Sequence, residues 1–271
     1  MKIESCLVKA QNRLRSITDR PLLESEILLS FTLGQSREYL HKNSNDNLGE
    51  FEEREFFKLV QRREASEPIE YIVKRVSFYS YDFYVDNRVL IPRPETEILI
   101  DKVVNLKLNS IKNIAEVGVG SGIISIMLKK LIKKDINITG TDISSEAVEV
   151  AKINAKKHAV KIDFENRNLL DGIDREFDLI VSNPPYIAKS FKIDKNLEYE
   201  PQNALFAEDN GLEIIKKLID VAIEKEVKYL VCEIGYDQRE AIEEYLKDKS
   251  IDSIEFYKDL ASFDRGFVIS F

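Results

Sequence analysis

Apolar residues near the start of the chain recur mostly every three or four positions: Leu22, Leu23, Ile27, Leu28 and Phe31, and later Phe56, Phe57, Leu59 and Val60, with polar loops between them. That period places side chains on one stripe of a helix and predicts a small all-helical domain over residues 1–70. The pattern then changes. Phe78, Tyr81, Phe83, Val85 and Val89 alternate with polar residues, which predicts a β-hairpin connector over 71–93. From residue 94 to 271 short apolar runs and helical stretches alternate. Strands are expected over 111–117, 136–141, 161–165, 177–182 and 227–234, and helices over 121–131, 144–157, 211–225 and 237–247 separate most of them. Strand and helix in alternation give a mainly parallel α/β sheet covered on both faces. Two last strands, about 251–258 and 266–271, follow one another closely enough to form a closing antiparallel pair.

Composition narrows the class. A chain of 271 residues with 44% hydrophobic positions has room for one large core and a smaller one. No apolar run approaches the roughly 18–20 residues of a membrane span, so the expectation is a cytoplasmic protein without a membrane partner. Cys6 and Cys232 stand far apart, without the spacing of a disulfide framework or a zinc site, and no metal is expected. The net charge of −8 repels a phosphate backbone, so no stable nucleic-acid binding is expected. Lys129, Lys130, Lys133 and Lys134, with Lys152, Lys156, Lys157 and Lys161, read as solvated helix faces. His41 and His158 are the only histidines, and both are expected to be non-catalytic.

Chemistry concentrates at two strand ends. The first expected strand of the alternating region runs into Glu116-Val117-Gly118-Val119-Gly120-Ser121-Gly122-Ile123-Ile124, with three glycines at a strand-to-helix turn. Glycine there tolerates positive φ and lets backbone amides approach a ligand. The dinucleotide fingerprint G-x-G-x-x-G would need glycine where Ile123 stands, which counts against NAD and FAD. The next strand ends at Asp142, at the distance where a carboxylate meets both hydroxyls of a ribose, while Ser144 and Ser145 are nearer the helix start and better placed to cap it. Asn168 and Leu169, after the third strand, fall where an adenine would sit.

The fourth strand stops at Asn183-Pro184-Pro185-Tyr186. Two prolines fix φ and remove backbone donors, so the Pro184 carbonyl is offered as an acceptor in a stiff loop and Asn183 is held extended. A planar amide or amine has two N–H donors and a poorly available lone pair. With Asn183 and the Pro184 carbonyl accepting those two hydrogens, the nitrogen is aimed at the methyl group of S-adenosylmethionine, and Tyr186 can stack on the flat group. Asn183, Pro184 and Tyr186 are therefore the expected catalytic residues, and Pro185 joins them in substrate binding.

These residues resemble class I methyltransferases with an Asn-Pro-Pro-Tyr motif, and within them the PrmC/HemK family of release-factor glutamine methyltransferases. The likeness covers nearly the whole chain. It is most specific in Val89-Leu90-Ile91-Pro92-Arg93-Pro94-Glu95-Thr96-Glu97, and continues in Glu200-Pro201-Gln202-Asn203-Ala204-Leu205, Asp209-Asn210-Gly211-Leu212 and Glu233-Ile234-Gly235 with Gln238. The resemblance implies a Rossmann-like seven-stranded, mostly parallel sheet with helices on both faces. It implies that Gly118, Gly120, Gly122 and Asp142 bind S-adenosylmethionine, released as S-adenosylhomocysteine, with Asn183 beside it; Val119 and Ser121 of the glycine turn, and Asn168 by its position, are expected to join them. It further implies that the helical domain docks a peptide-chain release factor whose Gly-Gly-Gln glutamine is methylated at N5. Glu116 stands where the family usually has Asp, Ala207-Glu208 where a glycine is common, and Ser262 where glycine is usual. The motif also serves enzymes acting on a ribosomal-protein glutamine or on exocyclic amines of nucleic-acid bases.

Overall fold

In the computed structural model, which describes residues 1–106 and 111–271, the chain packs as two compact units. The first comprises residues 1–75 with 194–199 and the second residues 76–193 with 200–271. Among the described residues no helix is long and apolar enough to cross a membrane.

The first unit holds five helices: α1 (Ile3–Leu14), α2 (Pro21–Leu33), α3 (Arg37–Lys42), α4 (Glu50–Glu64) and α5 (Ile69–Val73). Its core is built by Cys6, Ala10, Leu14, Leu28, Leu29, Leu40, Phe56 and Val60, among others. Helix α2 is apolar nearly all round, so its sequence does not specify which face turns inward. Leu22 and Phe31 are exposed, while Glu24, Ser25 and Glu26 are buried. The buried carboxylates are paired: Glu24 accepts from Arg63 Nε at 2.7 Å and from Thr18 Oγ1 at 2.7 Å, and Glu26 accepts from Arg37 Nε at 2.8 Å. Gly34, at φ 62°, ends α2 and donates to Phe31, a left-handed cap that only glycine adopts without strain.

The connector differs from the sequence reading. Residues 71–73, expected in the connector, complete α5, because Ile69, Ile72 and Val73 join the helical core. The hairpin is confined to β1 (Val76–Phe78) and β2 (Tyr81–Phe83), paired antiparallel, with Tyr79 and Ser80 at φ 48° and 62° making the turn.

In the second unit the expected seven-stranded, mostly parallel sheet is present. Its strands are β3 (Asn113–Val117), β4 (Asn137–Asp142), β5 (Asp163–Asn166), β6 (Leu179–Ser182), β9 (Tyr229–Glu233), β10 (Ser253–Lys258) and β11 (Asp264–Ser270). They lie in the order β10-β11-β9-β6-β3-β4-β5, with β10 and β11 antiparallel to their neighbours and the rest parallel. A separate two-residue pair joins β7 (Ile187–Ala188) to β8 (Phe206–Ala207).

The period of two sorts side chains onto the faces. Ile114, Leu179, Val181 and Val231 meet α6 (Thr96–Val104), α7 (Ile123–Leu131) and α8 (Ser145–Lys157), together with Phe78 and Phe83 of the hairpin. Ala115, Val117, Ile180, Leu230 and Cys232 meet α10 (Glu213–Glu224) and α11 (Arg239–Leu246) on the other face. A short helix, α9 (Gln202–Leu205), precedes β8.

Ser262 occupies a left-handed conformation, φ 66°, in a tight loop where Asp259 accepts from Ala261 N, Phe263 N and Arg265. Ser262→Gly removes that strain but gives the unfolded chain more freedom. The net expectation is a gain of about 0.5–1 kcal/mol, a rise in Tm of about 1–4 °C in thermal unfolding. An unchanged or lower Tm would show that the loop carries no strain there.

Candidate active site

The strand order reverses at β3, whose neighbours are β4 on one side and β6 on the other. At such a switch point the loops leaving the strand ends diverge and open a crevice. Here the diverging loops are the glycine turn after β3 and Asn183-Pro184-Pro185-Tyr186 after β6. Ser182 Oγ donates to the Val117 carbonyl at 2.7 Å, so the two strand ends are tied where the crevice begins.

All three glycines of the turn have positive φ: 76° at Gly118, 48° at Gly120 and 77° at Gly122. Gly118 and Val119 donate to the Thr141 carbonyl at 2.8 and 3.0 Å. Gly122 starts α7, and a Cβ there would lie 3.0 Å from the Ala151 Cβ, so α8 sits too close for any larger residue. Buried Asn154 of α8 fixes the turn from behind, donating to the Ser121 carbonyl at 2.9 Å.

Asp142 accepts from Gly120 N and Ser144 N, both at 2.9 Å, and burial raises its pKa above the usual carboxylate range despite those bonds. It does not cap α8; Ser144 does, accepting from Ala147 N at 3.2 Å. Glu116 is fully buried. Its Oε2 accepts from Ser125 N at 2.9 Å and from Ser125 Oγ, while Oε1 has no partner, and burial pushes the carboxyl up to about 8. A buried acceptor without a donor is costly unless a ligand supplies one.

These groups surround a cavity of about 320 Å³. Gly118, Val119, Gly120, Ser121, Asp142, Asn168, Asn183 and Pro185 of the expected site line it, as does Glu116. Gly122, Pro184 and Tyr186 lie outside the lining: Gly122 packs on Ala151, Pro184 is buried, and the Tyr186 ring packs against the core under α10. Asn168 also donates to Asp171 Oδ2 at 3.1 Å. Neither histidine lines the cavity: His41 approaches Glu26 in the first unit, and His158 stacks on Phe83 with centroids 4.4 Å apart.

Sequence reasoning left several site residues without a role. Thr96 lines the cavity and links half-buried Asn183 to buried Glu233, accepting from Asn183 Nδ2 at 3.1 Å and donating to Glu233 Oε2 at 2.8 Å. Tyr186 Oη donates to the other Glu233 oxygen at 3.3 Å. Glu200 accepts from Ile91 N at 3.0 Å and Arg93 at 2.5 Å, drawing together two segments quoted above only for their resemblance. Leu90, Pro92, Asn203 and Ala204 of those segments form more of the wall. The available signal was an acidic residue closing an apolar run, as Glu233 does at the end of β9.

Comparison with known proteins follows the same division. The sequence profile of the PrmC N-terminal domain matches residues 5–73, and that of the Methyltransferase small domain matches residues 94–208. The release factor glutamine methyltransferase of Clostridium acetobutylicum is 35% identical over 98% of this chain and 97% of its own length. The chain belongs to that family. A bifunctional methyltransferase of Rickettsia typhi is 38% identical over 99% of this chain, which corresponds to 57% of that longer protein. A solved ribosomal protein L11 methylase from Lactobacillus delbrueckii subsp. bulgaricus matches with a TM-score of 0.50 and 25% identity, over 69% of this chain and 83% of that one. The family membership makes the chain a methyltransferase, and the crevice at the β3–β6 switch point is where its residues meet.

Proposed function

We propose that this methyltransferase uses S-adenosylmethionine to methylate the side-chain amide N5 of the glutamine in the Gly-Gly-Gln motif of a peptide-chain release factor. The observation that carries the reading is the orientation that Thr96 and an ionised Glu233 give to Asn183. Its Nδ2 is committed to Thr96, whose own proton goes to Glu233, so Oδ1 remains as the acceptor at the cavity wall.

The donor set fits the cofactor. Glu116 Oε1, buried and without a partner, would accept from the ammonium of its methionine part, Asp142 would meet the ribose hydroxyls, and Asn168 with Leu169 would border the adenine. Bound there, S-adenosylmethionine supplies a methyl group on a sulfonium that leaves as the neutral thioether of S-adenosylhomocysteine. The chain's own work is positional. Asn183 Oδ1 and the Pro184 carbonyl accept the two N–H donors of the glutamine amide and hold its nitrogen in line, and the surplus amide proton passes to solvent. Tyr186 carries the edge of this loop, with its hydroxyl on Glu233. Residues 1–70, within the helical unit, would dock the release factor, in the cytoplasm.

The test is methyl transfer from labelled S-adenosylmethionine to purified class I release factor, compared with a Gln-to-Ala factor, a ribosomal protein mixture and duplex DNA. Label on the wild-type factor alone is expected. Label on ribosomal protein or DNA instead would move the substrate, and no label anywhere would remove the catalytic reading.

A further inference from the structure

The Asn183 amide can present either its oxygen or its NH2 group to a substrate, and only the oxygen can accept from a glutamine amide. What decides between them is buried behind it. We infer that Thr96 and Glu233 are positioning residues, and that the charge on Glu233 sets the polarity of the Asn183 amide and thereby switches substrate recognition. This rests on the reading of Asn183 as the group that holds the substrate amide.

The chain of bonds is directional. An ionised carboxylate can only accept, so Thr96 Oγ1 must give its proton to Glu233, at 2.8 Å, and can then only accept from Asn183 Nδ2, at 3.1 Å. Oδ1 is left as the free end of the amide. A protonated Glu233 carries an O–H of its own, which Thr96 Oγ1 can accept. Thr96 then turns its proton toward Asn183, the amide reverses, and its NH2 group faces the NH2 of the substrate. Four side chains are enough: Thr96, Glu233 and Tyr186 hold Asn183, and no atom of Glu233 needs to reach the substrate.

The groups facing Glu233 come from several elements. Tyr186 donates to it from the loop after β6, and Arg265 on β11 favours its charge. Glu95, ahead of α6, opposes that charge, and the Cys232 thiol and the Tyr257 hydroxyl of β10 stand in its field. Burial outweighs these partners and raises the carboxyl to about 7. The acceptor orientation is therefore dominant above neutral pH and lost as pH falls through that value.

The test combines kinetics with an observable that needs no turnover. Wild-type kcat/KM toward release factor is expected to rise between pH 6 and 8. Glu233→Gln, nearly isosteric, no longer fixes the polarity; with S-adenosylmethionine saturating, so that the Glu116 carboxyl is held by its ammonium throughout, it is expected to lose about tenfold at pH 8 and to show a flat profile over this range. Thr96→Ser should keep the wild-type profile and Thr96→Val should lose it. In parallel, the Asn183 side-chain amide pair, identified by its absence in Asn183→Ala, is followed by 15N–1H spectroscopy. Its resonances should titrate near neutral pH in the wild type and stay fixed in Glu233→Gln. Resonances that stay fixed in the wild type, or titrate equally in both proteins, would overturn the inference whatever the enzyme methylates. A wild type that titrates but labels no release factor would instead remove the substrate reading.

Discussion

Asn183→Ala is expected to lower methyl transfer about a thousandfold, roughly 4 kcal/mol of barrier, while cofactor affinity stays within about threefold of wild type. The separation follows from what each group touches. The glycine turn is held by Thr141 and Asn154, Asp142 by Gly120 N and Ser144 N, and Glu116 by Ser125, so none of them relies on the Asn183 side chain. In the proposed reaction Asn183 contributes an oriented acceptor where the remaining requirement is alignment, and without it the substrate nitrogen would be free to turn its hydrogens elsewhere. Calorimetry with S-adenosylhomocysteine and single-turnover transfer measure the two effects separately. Parallel losses in both would mean that Asn183 chiefly builds the cofactor site or the fold.

Much of this arrangement was legible in the sequence because it is local. The apolar run before Asn183 and the glycine turn after Val117 are contiguous, and the alternation of Leu179, Ile180 and Val181 already separates the two faces of the sheet that the helices cover. The network behind Asn183 was not legible in the same way. Residues 96, 183, 186 and 233 meet because β6 lies beside β9 and α6 packs on β9, and a single sequence indicates strands without saying which are neighbours. Glu200 is a similar case: its role depends on reaching Ile91 N and Arg93 across more than a hundred residues of chain. Helix α2 shows another limit. Its apolar residues run nearly all round the helix, and the inward face carries Glu24 and Glu26, whose ion pairs to Arg63 and Arg37 periodicity does not register. Of the four segments quoted for their resemblance, 89–97 and 200–205 line the cavity, while Glu233 and Gln238 hold Thr96 and Tyr186 behind it and Gly211 lies against the Tyr186 carbonyl, contacts that only the topology brings about.

Gly211 supplies the second large expected effect. Its φ is 87°, and a Cβ built on it would lie 2.1 Å from the Tyr186 carbonyl oxygen and 2.7 Å from both the Tyr186 carbonyl carbon and Gln238 Nε2. Gln238 Nε2 itself donates to that same carbonyl at 3.0 Å and to Asn210 O at 3.4 Å. A methyl group at position 211 must therefore move the Tyr186 backbone by about 1 Å or break its tie to Gln238, and the flanking Pro184-Pro185 is too stiff to absorb the shift before it reaches Asn183. Gly211→Ala is expected to lose about 2–4 kcal/mol of stability and at least about a hundredfold in transfer, with S-adenosylhomocysteine still bound by the folded fraction. Gly172→Ala is the matched control. Its φ is 71°, but its Cβ would meet only Arg167 Nη1, at 3.5 Å, so it carries the left-handed strain without the collision. That variant should lose about 1 kcal/mol and keep transfer within about twofold. If both variants transfer at full rate, the Asn-Pro-Pro-Tyr loop gives way without carrying Asn183 with it, and its orientation depends on Thr96 and Glu233 rather than on the stiffness of the two prolines.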